Sequence, residues 1–459
     1  MILQVEVKKA SRLSNFQIFL NASKRSPDFA KIADDWQATE NFCEHFSQHR
    51  ASGHLPILQG EQNDNPNPAA SRAYYRKSKS AATLVVACMR VWQINLQAHL
   101  GGGEVYTAFL TRALSKLGVP TTLFVQRDAA FWPGLELARD TELVPVAGAD
   151  DVVQRLPRER SWLLGHGPLP RQLRATAHLR TAIAHMPPQG REPRAFEGHE
   201  LVFGVSGWVL GGLRAAHAPA WDEPLYGVAD VRGDAAAPLH ARPPYDFDER
   251  KLRDRVLGVF YPVFFALGGN SRFQRHPGLT LGIVSRLTPI KQFPEQFTLL
   301  APLLAKRGVN LEIFGAGGYA SVRDLKRALV PMGGRARFWG HQDNVAAAYA
   351  GLDYLMTGLP EKEALGLNVI EAQSRGLPVL AVAAPPFTET VRDGETGYLY
   401  RDPRSDGGAD FARLMDALLG GKPRPDPRCA REHLERFSFD AFCERVDRAQ
   451  QSACARLAA

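Results

Sequence analysis

From Ala82 onward the chain alternates short apolar runs with helix-patterned segments, and it does so in two successive series. This alternation limits the fold more than any other feature. Apolar runs that end in Gly or polar residues, each followed by a 3.6-period segment, bury both faces best as parallel strands under crossover helices. In the first series the strand-like runs are TLVVACMRV, TTLFV, WLLGHG, TAIAHM and LVFGVS, and EVYTAFLTRALSKLG has helical spacing with a stop at Gly118. The second series opens with LTLGIVSRL. It continues with predicted helices around 294–307, 320–330 and 343–350, interleaved with the runs VNLEIFGAGG, RARFWG and DYLMTG. LNVIEAQSRG reads as a helix closed by Gly376, LPVLAV as a strand, and FDAFCERVDRAQQSA as a polar-faced final helix. The expected class is α/β, with two Rossmann-like lobes facing a cleft and ligand groups at the strand C-termini.

The predicted domains are 1–80, a poorly structured extension; 81–265, a first Rossmann-like lobe; 266–425, a second; and 426–459, a helical tail. Residues 60–80 are polar, contain Pro and Asn, and lack periodicity, as in a linker or a disordered arm. An over-long start-codon assignment would produce the same segment. Residues 232–277, rich in Pro, Gly and charge, connect the lobes.

Composition narrows the function classes. No run of 18 apolar residues occurs, and MILQVEVKKASRLSNF has charge where a signal peptide needs its apolar stretch, so the chain is expected to stay in the cytoplasm. Five scattered cysteines without a C-x-x-C pair argue against a disulfide framework and a zinc cage. A net charge of +8 favours anionic partners, yet no aromatic-interleaved basic motif suggests nucleic acid.

Four constellations carry chemistry. Glu363 and Glu371 have seven residues between them, the first in a loop after DYLMTG and the second in the helix that follows. A loop carboxylate can face sugar hydroxyls, a helix carboxylate can accept from both ribose hydroxyls, and the helix start at Gly366, Leu367 and Asn368 presents free N–H groups to phosphate. Taken alone the pair also reads as two Glu residues on an exposed helix. Arg286 and Lys291 follow a strand end and suit a diphosphate, or else form a solvated basic turn. Gly101, Gly102 and Gly103 let backbone approach phosphate or sugar, or make a flexible turn. Gly315, Gly317 and Ala320 form a weak G-x-G-x-x-A pattern; Arg335 and Arg337 occupy the region where a dinucleotide site needs an acid, so the loop is read as lying near a nucleotide, not as a nicotinamide site. Asp246-Phe247-Asp248 is a D-x-D triplet that reads as a helix start at Asp248 before it reads as a metal site.

The segments SRLTPIK, LEIFGAGG, FWGH, EALGLNVIEAQSRGLPVLAV and ETVRDGETG, in this order, resemble the retaining glycosyltransferases of family 4, which have the GT-B fold. GGGEVY, GHG, AHM, VSGWV and YGVADV resemble that family's first lobe, so the likeness covers roughly 83–450. The resemblance implies a C-terminal helix crossing back to the first lobe and a metal-independent transfer with retention from a nucleotide diphosphate sugar, with no other cofactor. It implies a glycan, lipid-linked or small-molecule acceptor, in bacterial-type glycan or glycolipid biosynthesis. It places Glu363 on the donor sugar, Glu371 on the ribose, and Arg286 and Lys291 on the diphosphate, helped by backbone near Gly103 and Leu367. His166 would face the donor sugar or be a partly buried structural histidine; His185 would line the acceptor pocket or cap a strand. Pro360, Leu365 and Pro385–Pro386 depart from the family's usual Ser, Phe and Gly pair, which bears on donor identity. A nucleotide-sugar epimerase on the same fold and a non-catalytic sugar-nucleotide-binding protein remain as alternatives. Arg155, Arg158, Arg160, Arg171, Arg174 and Arg180 stand against one acid, Glu159, between 155 and 180. They form either a surface for peripheral contact with anionic membrane or a solvated basic face.

Overall fold

Two six-stranded parallel sheets, each with strand order of the 3-2-1-4-5-6 type, organise the computed structural model, which describes residues 90–188, 194–246 and 271–458. The chain divides into two units, 1–78 and 79–459, and every described residue lies in the second. The predicted extension 1–80 and the Asp248 helix start lie outside the described residues.

The first lobe runs β1 (Val91–Asn95), α1 (Gly102–Lys116), β2 (Thr121–Gln126), β3 (Glu142–Val146), α2 (Ala149–Arg155), β4 (Trp162–His166), α3 (Arg171–Arg174), β5 (Leu179–Ala184), β6 (Leu201–Gly204) and α4 (Gly207–Ala215). Its sheet order is β3-β2-β1-β4-β5-β6. The described part of the first strand begins where the expected run TLVVACMRV ends. It continues through Gln93 and Asn95, both fully buried: Gln93 Oε1 meets His166 Nε2, and the Asn95 amide donates to Glu104 and Thr107. α1 also starts earlier than expected and takes in Gly102 and Gly103. Glycine is costly inside a helix, but a Cβ on Gly102 would stand 3.3 Å from Leu367 Cδ1 of the second lobe.

The second lobe runs β7 (Thr280–Val284), α5 (Phe293–Lys306), β8 (Asn310–Phe314), α6 (Tyr319–Ala328), β9 (Ala336–Gly340), α7 (Val345–Ala350), β10 (Tyr354–Met356), α8 (Leu367–Ser374), β11 (Val379–Val382), α9 (Phe387–Thr390), β12 (Gly397–Tyr400), α10 (Pro403–Asp406) and α11 (Ala409–Leu419). Its sheet order is β12-β11-β10-β7-β8-β9. After α12 (Arg431–Glu435), the last helix α13 (Phe439–Ala458) returns to the first lobe. Phe442, Val446, Ala449 and Ala453 of α13 join the core formed by Tyr106, Leu110, Leu114 and Val209.

In each sheet the order reverses once, between β1 and β4 and between β7 and β10. A crevice opens at the strand C-termini on either side of such a reversal. β4 ends on His166, and the loops after β1, β7 and β10 carry the Gly-rich turn, Arg286 with Lys291, and Glu363.

Candidate functional site

Arg286 leaves the end of β7 and reaches the other lobe, where its guanidinium donates to the Leu100 carbonyl. A Cβ on Gly101 would lie 3.0 Å from Arg286 Nη2 and 3.1 Å from Glu104 Oε2, so the residue between them has no room for a side chain. Lys291, on the same loop, forms an ion pair with Glu363, and the pair is largely shielded from solvent. Both expected cations thus stand at the crevice together with the expected loop carboxylate.

Next to this pair begins α8. Gly366 precedes it in the left-handed region (φ 82°, ψ 67°), and no side chain caps the helix. A helix start left in this state offers its first N–H groups and the positive end of its dipole to an anion. The Leu367 side chain touches Gly102 and crowds Gly227, while the Asn368 amide donates to Val284 O at 3.2 Å. One turn on, Glu371 accepts from the Tyr349 hydroxyl at 3.1 Å. Burial pushes its carboxyl up to about 7; the Tyr349 hydrogen bond opposes this shift and the charge of Asp230 adds to it.

The two histidines differ in their surroundings. His166 is buried with both ring nitrogens engaged, Nδ1 with Thr107 Oγ1 at 3.0 Å and Nε2 with Gln93 Oε1 at 2.9 Å. His185 stacks on it with ring centroids 5.8 Å apart and meets the edge of Tyr106 at 5.3 Å. The ring of His185, not that of His166, abuts Gly103, and its Nε2 is buried without a hydrogen bond. Burial, then the neighbouring His185, holds His166 well below the usual histidine range, and burial lowers His185 to about 4. Both rings are therefore neutral at physiological pH, and His185 is the one with an open nitrogen.

Gly315 has a sufficient explanation in packing. Its φ is 156°, and a Cβ there would fall 1.8 Å from Ser285 O. Arg337, in the region lacking an expected acid, pairs with the fully buried Glu312 of β8. Asp246 lies on the connector, its backbone N–H bonded to Gly317 O at 2.9 Å; Asp248 is outside the described residues. Among the described residues, no group of three or more His, Cys, Asp or Glu side chains could hold a metal ion.

Several residues of the crevice wall gave little sequence signal. Ser206 caps α4 by accepting from Val209 N at 3.1 Å and donates its hydroxyl to Ala364 O at 2.5 Å, across the cleft. Gln93, Asn95 and Thr107 carry no motif; each is polar inside a segment whose pattern reads only as strand or helix. The six arginines between 155 and 180 do not form one free surface. Arg155 pairs with Asp151 and Arg180 with Glu200, while Arg160 and Arg174 donate to the carbonyls of Leu457 and Glu197.

Comparison with known proteins places this geometry. Residues 278–420 match the family model described as Glycosyl transferases group 1. The chain is 31% identical over 130 residues, 28% of its length, to the N-acetyl-alpha-D-glucosaminyl L-malate synthase of Bacillus anthracis. It is 26% identical over 388 residues, 74% of its length and 90% of the relative's, to a D-inositol 3-phosphate glycosyltransferase of Paenarthrobacter aurescens. The matches to the first curated relatives, among them an alpha-1,3/1,6-mannosyltransferase of Neurospora crassa, span only 20% to 34% of those proteins' lengths. Among solved structures, Anabaena Alr3699/HepE in complex with UDP and glucose superposes with a TM-score of 0.57 at 14% identity, covering 80% of this chain and 100% of that one. Sucrose-phosphate synthase from Thermosynechococcus elongatus gives 0.57 at 16%, with the same coverage. The two-lobed α/β architecture is thus the GT-B fold, and its second lobe is similar in sequence to glycosyl transferases group 1.

Proposed function

We propose that the protein is a retaining hexosyltransferase of the family 4 type, moving a sugar from a nucleotide diphosphate sugar to an acceptor held by the first lobe. The observation that carries this reading is the convergence, at two facing sheet crevices, of Arg286, the Lys291–Glu363 pair and the uncapped start of α8. Two cations and a helix start form a seat for a diphosphate. In the reaction the acceptor hydroxyl attacks the anomeric carbon from the face the diphosphate leaves, and the departing phosphate oxygen takes its proton. Arg286, Lys291 and the N–H groups of Leu367 and Asn368 stabilise the charge that develops on that phosphate. Glu363 accepts from the sugar hydroxyls and Glu371 from the ribose. His185, neutral and with Nε2 open beside Gly103, takes the sugar-facing role that the resemblance assigned to His166; His166 orients its ring from behind. Protein cations neutralise the leaving group, so no divalent metal or other cofactor is required.

Glu371 supplies the test. Ribose hydroxyls donate to it, so bound nucleotide favours the ionised carboxylate. A group titrating at about 7 must lose its proton to bind. Affinity for the preferred one of UDP, GDP and ADP should therefore rise with pH from 6 to 8, by up to about tenfold per unit below the pKa. The same shift acts oppositely on the unliganded fold. Its pKa is raised above the ordinary 4.5, so the stability it contributes declines as pH rises from there to about 7. Calorimetry in EDTA reads the affinity. Glu371→Gln should flatten the pH profile, and no binding of any of the three nucleotides would refute the reading.

An epimerase would convert the donor without an acceptor, and a binding protein would leave it intact; product analysis separates both from a transferase. Peripheral contact with anionic membrane, a further part of the proposal, would rest on Arg158 and Arg171, for which no pairing contact is observed among the described residues. At about 1 kcal/mol per residue near the surface, co-sedimentation with anionic vesicles at low salt tests it. Among the described residues no helix is long and apolar enough to cross a membrane.

A further inference from the structure

Two separate segments of the chain donate to one carboxylate that the proposed chemistry does not use. Glu389, on α9 of the second lobe, accepts from the backbone N–H groups of Gly207 at 2.6 Å and Trp208 at 3.2 Å, the first two residues of α4 in the first lobe. The Tyr226 hydroxyl, from the segment leaving the first lobe, donates to the same carboxylate. Arg436, between α12 and α13, donates to the Tyr226 oxygen at 2.9 Å and lies over its ring at 4.9 Å. Donors and acceptors close in one chain: two orphan helix N–H groups and a phenol on the carboxylate, and a guanidinium on the phenol.

The position is built for this contact. A Cβ on Gly207 would come within 2.9 Å of Glu389 Oε1, so a side chain there would force the carboxylate to shift. Burial, then the Glu389 hydrogen bond, pushes the Tyr226 hydroxyl up to about 12, which keeps it a donor. A negative charge at a helix start is favoured by the dipole. The same helix is capped by Ser206, which bonds Ala364 O beside Glu363. Glu389 therefore holds the end of α4 on one side and Ser206 holds the Glu363 loop on the other.

We propose that Glu389 is a positioning residue, a latch that fixes the spacing of the two lobes and so sets the Glu363 loop against the first-lobe wall. Its catalytic consequence rests on the transferase reading; its structural consequence does not. In the full chain, Glu389→Ala should raise amide exchange at Gly207 and Trp208 at least tenfold, since those two N–H groups have no partner within their helix. It should also enlarge the radius of gyration in solution scattering. With UDP-, GDP- or ADP-glucose as donor, kcat should fall at least tenfold while donor KM stays within threefold. Glu389→Gln, which keeps an acceptor, should recover part of both, and Tyr226→Phe should fall between. Unchanged exchange at the two amides overturns the latch. So does changed exchange with wild-type kcat, or a rise in KM at constant kcat, which would make Glu389 a donor contact. If the wild type turns over none of the three donors, the transferase reading fails and the latch is judged on exchange and scattering alone.

Discussion

Alanine at Arg286 or at Lys291 should slow sugar transfer by roughly 10²–10³-fold, the scale of losing one preorganised group that stabilises developing charge. In the proposed site both residues adjoin the leaving diphosphate, Arg286 held by the Leu100 carbonyl and Lys291 paired with Glu363. The same variants should weaken nucleoside diphosphate binding by ~1.5–3 kcal/mol per contact. Arg286→Lys should recover little, because an ammonium cannot reproduce the planar fork. Glu363→Gln should fold normally and transfer slowly, since the amide retains the shape but loses the full acceptor and the partner of Lys291. Circular dichroism and melting curves separate these effects from misfolding. A kcat within twofold of wild type in both cation variants would remove the diphosphate clamp from the account.

The second large effect is on stability. Arg337→Met should cost about 3–5 kcal/mol, the range seen when one partner of a buried ion pair is removed. Glu312 is fully buried; Arg337 Nε reaches it at 3.0 Å and Trp339 Nε1 at 2.6 Å. Without the guanidinium, a carboxylate remains in the sheet with one neutral donor. Glu312→Gln should cost less, because the amide oxygen can still serve Trp339. Urea unfolding reads both midpoints, and a loss below about 1 kcal/mol for Arg337→Met would mean that Glu312 finds other solvation.

The alternation of strands and helices was legible because strand and helix periodicities depend on local burial, and burial in a parallel sheet repeats from element to element. Helix edges near 294–307 and 320–330 came within two residues for the same reason. The Arg286, Lys291 and Glu363 cluster could be read from spacing as two separate motifs; only the family resemblance joined them in one site. Its assembly depends on which sheet edge each loop leaves, and that follows from strand order, not from spacing. Which of His166 and His185 keeps an unpartnered ring nitrogen was hidden for a related reason. Both end a strand of the same sheet, and only the partners Gln93 and Thr107, on β1 and α1, decide which ring is left open. Glu389 opens the segment ETVRDGETG, but the sequence assigned it no role. Its partners Gly207, Trp208 and Tyr226 are more than 160 residues away in sequence.

The central claim is transfer of a sugar from a nucleotide diphosphate with retention. The most direct measurement is a proton NMR time course of UDP-, GDP- and ADP-glucose with the full chain in EDTA, using water or an added acceptor, and following the first-formed anomer before mutarotation. The account predicts release of the nucleoside diphosphate from at least one donor and a first product with the donor's α configuration, both lost in Lys291→Ala. A β product, turnover only with added Mn²⁺, or an intact donor in every case would contradict it.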